Sequence, residues 1–298
     1  MILLLGEMQI QSANASPTPF SINAAPVMAA NLFAHALGRQ CGVLPTGVAL
    51  LHRDAQLLGE TGREFYGRFH PQQRRGAVFI DDADYPAGSK ALSMQPTASM
   101  HLELSIALRF EEDAIDLAAT RAFLNSARLA GGQIVSIGRI ETLDSSEELL
   151  RTAASGFWIV ERSDLIDPSD PIESMLSVLR APPSPADRSV DKPKGRWPQS
   201  WLSAALLGYA ATTGFRSRAY AREGFLHGFF EPLMGLVQFV FTRDFAAALH
   251  GAPTVPWWTT HWLAPDVFVA RQFADFRQSW PKTVDAINAR QSLASLPS

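Results

Sequence analysis

The sequence predicts an α+β fold in which strands and helices alternate along the first 180 residues. Residues 1–12 and 101–110 carry the apolar runs and period-two alternation of strands, and residues 27–40 have the apolar spacing of a helix. The order strand, helix, strand, long arm, strand, helix, strand is typical of a ferredoxin-like or RNA-recognition-motif-like sandwich.

The first predicted elements follow from local signals. The Ser-, Pro- and Asn-rich stretch 14–26 predicts a loop after the first strand. Pro26 stands where the helix begins, because proline is favoured in a first helical turn. The apolar pattern of residues 47–58 predicts the second strand.

Residues 59–99 change character and predict a protruding arm. Gly, Pro, Arg and Asp dominate, and stretches this long between elements are usually functional or disordered. The arm contains aromatic residues interleaved with four arginines, Arg63, Arg68, Arg74 and Arg75.

The strand at 101–110 is followed by a predicted helix that starts at an Asp113 N-cap, runs through residue 130 and stops at Gly131 and Gly132. Further strands are predicted at 133–142 and 157–160, and a helix at 171–180. The predicted domains are a core of 1–180 with the arm inserted, a proline-rich linker at 181–199, and an aromatic-rich region at 200–298 packed on the core. The apolar run 229–241 is interpreted as a helix.

Composition restricts the partners and the compartment. The formal net charge is −3, so nucleic-acid contacts must come from local basic patches. The only cysteine, Cys41, permits no intrachain disulfide and no cysteine metal cluster. The apolar start of the chain is too short for a signal peptide, and no run is long enough for a membrane helix, so a cytoplasmic protein without a membrane partner is expected.

A search for catalytic patterns favours a non-enzymatic protein with no cofactor and no metal. The sequence has no G-x-S-x-G, P-loop, H-E-x-x-H or G-x-G-x-x-G pattern. Two S-x-x-K matches, at 189–192 and 279–282, have no companion motif. The seven histidines include no pair at the i, i+4 spacing of a helical metal site.

Seven short segments, in the same order along nearly the whole chain, together resemble one family. That family is the Cas-five-type subunit of the type I-F CRISPR (Csy) complex, the Csy-two family. The similar segments are IQSANA at 10–15, FAHAL at 33–37, HLELS at 101–105, RLAGGQI at 128–134, GFWIV at 156–160, GYAAT at 208–212 and the stretch 231–236. The family has an asparagine in its GYNAL segment where this chain has Ala210.

The resemblance implies a repeat-associated RNA-binding (RAMP) fold with a thumb at 59–99. It implies a subunit that binds the 5′ handle of the crRNA, caps the filament of backbone subunits and pairs with the large subunit in an antiviral ribonucleoprotein. It also implies that the subunit is not a nuclease. A role in reading the motif beside the target DNA stays open.

Within the resemblance, a defined set of residues is expected to contact RNA through phosphate forks, glycine turns and base-edge hydrogen bonds. The set is Ser12, Asn14, Arg63, Arg68, Arg74, Arg75, Arg128, Gly131, Gly132, Arg216 and Arg218. Structural alternatives stay open: a helix end at Gly131, an Asx turn at Asn14, a solvated face at Arg216, and a core or interface role for Trp257, Trp258 and Trp262.

Two other functions compete with this one. The first is a ferredoxin-like endoribonuclease that processes crRNA with a histidine as general base. The second is an adaptor that touches only protein.

Overall fold

In the computed structural model of the chain, residues 1–61, 69–71, 98–153, 155–180, 201–217, 224–242 and 255–272 are described. They form an α+β fold dominated by one ten-stranded sheet, in which every described strand pairing is antiparallel. A separate hairpin lies at the base of the arm. The strands are β1 (Ile2–Asn14), β2 (Gly47–Leu57), β3 (Gly59–Thr61), β4 (Phe69–Pro71), β5 (Ser99–Arg109), β6 (Arg128–Leu129), β7 (Gly132–Leu143), β8 (Phe157–Glu161), β9 (Leu202–Ala211), β10 (Phe230–Phe241), β11 (Trp258–Ala264) and β12 (Val267–Gln272). The helices are α1 (Val27–Cys41), α2 (Leu117–Leu124), α3 (Ser146–Thr152) and α4 (Pro171–Arg180).

The first half of the sheet is β2-β5-β1-β7, with β6 beyond β7. Strand β1 lies in its centre and pairs with β5 on one side and β7 on the other. One face carries alternate apolar residues, among them Leu3, Leu5 and Leu104, which form the main core with α1. Helix α1 packs there through Phe33, whose ring lies 5.4 Å from that of Phe123 just before the end of α2.

Two irregularities interrupt β1. Glu7 (φ 57°) and Ser12 (φ 56°) both have positive φ, and the pairing with β5 shifts at each position. Each inserts an extra residue, which bends the strand and turns neighbouring side chains in new directions. The second irregularity lies next to the sheet corner described below.

The second half of the sheet continues from β2 through β8, β10, β9 and β12 to β11. Strand β11 returns to β2, where Trp258 pairs with Val48, so these strands curl round on themselves. Trp258 is fully buried and its Nε1 donates to the Ile159 carbonyl at 3.1 Å.

A buried polar clasp joins β8 to β12 inside this curl. Gln272 is 1% exposed, and its side-chain oxygen accepts from the backbone amide of Glu161 at 2.8 Å. The backbone amide of Gln272 donates in turn to the Glu161 carboxylate at 2.8 Å. The Gln272 side-chain amide also donates to the carbonyls of Ile159 (3.2 Å) and Pro256 (3.1 Å). These bonds replace a regular strand ladder, since buried polar groups must be paired.

The opposite face of the sheet carries a second apolar cluster near one end. Helix α3 places the buried Leu149 there, against Leu4 and Trp158. Arg109 lies over the Trp257 ring at 5.6 Å. Trp257 and Trp258 are therefore core residues, as the sequence suggested, whereas Trp262 is 53% exposed.

The strands predicted at 1–12, 47–58 and 101–110, and the helices predicted at 27–40 and 171–180, are confirmed within two residues at each end. Most of the predicted arm 59–99 lies outside the described residues. The prediction of a helix from 113 to 130 is wrong. Helix α2 runs only from Leu117 to Leu124. Its N-cap is Asp116, whose carboxylate accepts from the Ala118 and Ala119 amides at 2.8 and 3.0 Å. The prediction that Gly131 ends a helix is wrong too, because it lies in a β-turn.

The interpretation of 229–241 as a helix is also wrong, since this run is strand β10. Val237 and Gln238 pair with both β8 and β9, and Phe230 and Pro232 pair with β9. Tertiary pairing overrides the apolar spacing here. None of the described helices has the length and apolar character needed to cross a membrane.

Candidate nucleic-acid interface

The end of β1 and the β6–β7 hairpin meet at one corner of the sheet. The Asn14 amide donates to the Ala130 carbonyl at 2.8 Å, and Arg128 Nη1 donates to the Gly131 carbonyl at 3.3 Å. The Ser12 amide donates to His101 Nδ1 at 3.4 Å. The structure therefore brings together five of the residues selected from the sequence: Ser12, Asn14, Arg128, Gly131 and Gly132.

The hairpin turn has the backbone of a two-residue type I′ turn. Leu129 pairs with Gly132, and the two residues between them, Ala130 and Gly131, have φ values of 49° and 74°. This turn matches the right-handed twist of its strands. Within the described residues, the amides of Ala130 and Gly131 donate to no other group, so both remain free for a ligand.

Gly132 is needed for a different reason. A Cβ atom on it would lie 2.6 Å from Ile10 Cγ2 and 2.7 Å from the Ala13 amide nitrogen. Only glycine lets the hairpin approach the irregular end of β1 so closely. The neighbouring Gly131 meets nothing within 4 Å.

Both ends of the arm leave the sheet at this corner. The Leu58 amide donates to the Ser99 carbonyl at 2.8 Å, and the Ala15 amide donates to the Ala98 carbonyl at 2.9 Å. Ser99 is paired with Asn14. Strands β3 and β4 then form a short hairpin at the arm base. The four arm arginines, Arg63, Arg68, Arg74 and Arg75, lie outside the described residues.

The corner carries polar side chains that the sequence reasoning missed. Gln11 is paired with Gln133, and Gln56 with His101. Their strand neighbours Ile10, Ile134 and Met100 face the main core, so alternation places these four side chains on the opposite face. The alternation of apolar and polar residues in these strands could have identified the four polar side chains from the sequence, once the strand pairing was known. Uncharged amides of this kind can hydrogen-bond to base edges.

The same face becomes ionic farther from the corner. Arg53 Nη1 lies 3.2 Å from Glu7 Oε1 and 3.2 Å from Glu103 Oε1. Arg139 lies 4.0 Å from Glu7 and 3.9 Å from Glu141. These two arginines are already matched by carboxylates, so they offer little net positive charge to a phosphate chain.

Arg216 is not part of the corner. It lies on the extension of the β9–β10 hairpin, where its amide and carbonyl bond to those of His227 at 3.0 and 2.8 Å. Among the described residues no hydrogen bond or strand pairing connects it to β1, β6 or β7. Arg218 lies outside the described residues.

The histidines assemble no metal site in the described part. No group of three or more His, Cys, Asp or Glu residues could hold an ion there. Burial lowers the pKa of His52 to about 4, against a smaller opposing effect of Asp54, and the ring packs edge-on to Phe239 at 5.0 Å. His101 accepts the Ser12 amide at Nδ1, which leaves Nε2 as the second ring nitrogen able to hydrogen-bond a ligand.

The chain is an α+β protein with a large antiparallel sheet, and one corner of that sheet carries polar side chains beside a glycine turn. The family model for CRISPR-associated protein (Cas_Csy2) matches residues 3–261, and the chain belongs to that family. The resemblance seen in the sequence is thereby confirmed, and the protein is a CRISPR-associated subunit of the Csy complex with a role in antiviral defence. No curated protein matches the chain.

Proposed function

We propose that this subunit binds the 5′ handle of the crRNA at the corner formed by β1, β6 and β7. The observation that carries the proposal is that both ends of the arginine-containing arm leave the sheet beside Asn14 and Ala15. A ligand at the corner would therefore lie next to the arm base as well as to the glycine turn.

In this proposal the corner and the arm contact different parts of the RNA. The amides of Ala130 and Gly131, with the Arg128 guanidinium beside them, form a site for one phosphate. Gln11, Gln133 and His101 supply donors and acceptors for exposed base edges. Arg128 is the one cationic residue among the described corner residues, so most phosphate charge would be met by the arm arginines.

The strand order supports a ferredoxin-like RAMP core as part of the proposal. In chain order, β1, α1, β2, β5, α2 and β7 follow a βαββαβ pattern, and β1 lies between β5 and β7 in the sheet. The arm 59–99 is then the thumb of that core. We further propose that the subunit has no catalytic role, caps the backbone filament and pairs with the large subunit.

A charge-neutralising pair of variants tests the RNA site. Arg128→Gln removes the cation at the turn, whereas Arg39→Gln removes an exposed arginine from the last turn of α1. In the complex assembled with labelled crRNA, we expect Arg128→Gln to weaken RNA binding by about tenfold. The slope of log K against log salt should shrink by about 0.7, the value for one phosphate contact on a single strand.

Arg39→Gln should leave both the RNA affinity and the salt slope unchanged. Identical behaviour of the two variants would refute the phosphate site.

For the arm, we expect Arg74→Glu with Arg75→Glu to lower crRNA retention, and an unchanged RNA yield would count against the thumb assignment. Cleavage of crRNA precursor that His101→Ala abolishes would instead favour the endoribonuclease.

A further inference from the structure

One aromatic side chain beside the start of β9 is half exposed and held in an unusual backbone conformation. Trp201 immediately precedes β9, has a φ of 70° and is 52% exposed. A bulky residue at positive φ is an outlier, and such strained residues are concentrated at ligand-binding sites. The neighbouring strand helps to hold this conformation, because the Trp201 carbonyl accepts from the Phe239 amide of β10 at 3.1 Å.

The Trp201 ring lies on a second aromatic ring. Its centroid is 5.3 Å from that of Phe157 on β8 and the ring planes are 29° apart, so the two rings are stacked. Phe157 in turn contacts Phe241 of β10 at 5.7 Å. Phe157 and Phe241 are partly buried, and Trp201 is the most exposed of the three rings. These three residues, here called the tryptophan platform, offer the exposed part of one supported indole to a further flat ring.

The sequence that leads into Trp201 is cationic. Residues 181–200 carry four Lys or Arg residues against two Asp, and the last nine of them, 192–200, carry three cations and no carboxylate. Residues 181–200 lie outside the described part of the structure, so this charge is counted on the sequence. Asp54 on the neighbouring strand β2 is one opposing charge, and residues 243–244, just after β10, add one charge of each sign. The balance around the platform is therefore positive.

A single exposed ring beside a cationic segment favours a nucleobase over a protein as the occupant. Half of a Trp side chain is on the order of 100 Å², far below the ~800 Å² that each partner contributes to a stable protein interface. The cores of protein interfaces are also poor in Lys. In single-stranded nucleic-acid sites, aromatic rings stack on bases one at a time while Lys and Arg residues follow the phosphates.

The platform lies towards the same end of the sheet as the arm base. Phe157 pairs with His52 of β2, and β2 runs on for five residues to Leu57. The next amide, that of Leu58, bonds to Ser99 at the arm base. At ~3.3 Å per residue, His52 and Leu57 are roughly 17 Å apart along the strand. An RNA strand that passes the arm base therefore has Trp201 within reach.

We propose that the ring of Trp201 stacks on one unpaired base of the crRNA, at a second RNA contact separate from the corner. The inference rests on the proposed crRNA binding by this subunit, but it uses none of the corner residues. Every base has a π-face, so the stack selects a position in the RNA rather than the identity of the base.

A double-mutant cycle between the protein and the RNA tests the stack. The complex is assembled with labelled crRNAs that each carry a single abasic residue, and the RNA affinity is measured for the wild type and for Trp201→Leu. We expect one position at which loss of the base weakens wild-type binding at least about fivefold, whereas Trp201→Leu binds the abasic and the intact RNA equally. Trp201→Phe keeps an aromatic face and should keep the dependence on that base.

Trp262→Leu is the matched control, since Trp262 is 53% exposed and lies on β11. It should leave the cost of every abasic position unchanged. If Trp201→Leu unfolds in circular dichroism, Trp201→Gly takes its place, because glycine accepts a φ of 70° and keeps the carbonyl that bonds to Phe239.

Two results would overturn the proposal. The first is an abasic cost that is the same in the wild type and in Trp201→Leu at every position of the crRNA. The second is the loss of a protein subunit from the Trp201→Leu complex with all abasic costs unchanged, which would make the indole a protein contact.

The salt dependence separates this inference from the corner proposal. Stacking releases no counterions, so Trp201→Leu should lower the affinity and leave the slope of log K against log salt unchanged, whereas Arg128→Gln should reduce that slope. Coupling of a base to Trp201 together with an unchanged slope in Arg128→Gln would contradict the phosphate site alone. A reduced slope in Arg128→Gln without any base coupled to Trp201 would contradict the stack alone.

Discussion

Two adjacent glycines in the β6–β7 hairpin are expected to respond very differently to the same substitution. Gly132→Ala places a methyl group 2.6 Å from Ile10 Cγ2 and 2.8 Å from Ala13 Cα, and the backbone of β1 cannot move away without breaking its pairing. Overpacking of this kind costs about 1–3 kcal/mol and more where backbone must shift. Gly131→Ala meets no atom within 4 Å and pays only for its φ of 74°, about 1–2 kcal/mol.

Urea unfolding of the isolated subunit, followed by tryptophan fluorescence, measures both costs. We expect Gly132→Ala to lose about 3 kcal/mol or more of unfolding free energy and Gly131→Ala about 1–2 kcal/mol. Gly132→Ala should also lower crRNA binding, because it displaces the turn from Asn14. Equal losses, or a larger loss for Gly131→Ala, would refute the close approach of the hairpin to β1.

Three further predictions concern stability. Gln272→Leu leaves the Glu161 amide and the Pro256 carbonyl unpaired in the core and should cost roughly 2–5 kcal/mol, seen as a lower urea midpoint. Native His52 stays neutral down to about pH 4, whereas in the unfolded chain this histidine binds a proton below pH 6.5. The free energy of unfolding should therefore fall by up to roughly 3 kcal/mol as the pH drops from 6.5 to 4. His52→Phe should remove this part of the pH dependence. Asp116→Ala should lower the free energy of unfolding by about 1 kcal/mol through loss of the α2 cap. Asp113→Ala should lower it by less than half as much, and thermal melting of both variants measures the difference.

Much of the first half of the fold could be predicted from the sequence. The apolar run that starts β1 and the spacing of α1 are local signals, and Pro26 and Gly42 mark both ends of that helix. The extent of α2 could not be predicted, because Asp113 and Asp116 are both plausible caps and only tertiary structure decides between them. Strand β10 was misinterpreted because consecutive residues, 235–238, are all buried, so both faces of the strand are covered and the run shows no strand alternation.

The corner could be predicted only in part. Asn14, Arg128 and Gly132 were identified from motifs that resemble one family, and they do lie together. Gln11 and Gln133 were missed because their importance depends on strand pairing between residues far apart in sequence. Arg216 was included for its basic neighbours, but a charge pattern alone does not show which end of the molecule a residue occupies.

The most direct test of the central claim is ultraviolet cross-linking of the complete complex, with mass spectrometry of the peptides that carry crRNA nucleotides. The account predicts that nucleotides of the 5′ handle cross-link to residues 9–16, to 126–134 and to the arm 59–99. Handle cross-links confined to other parts of this chain, or to other subunits alone, would contradict it.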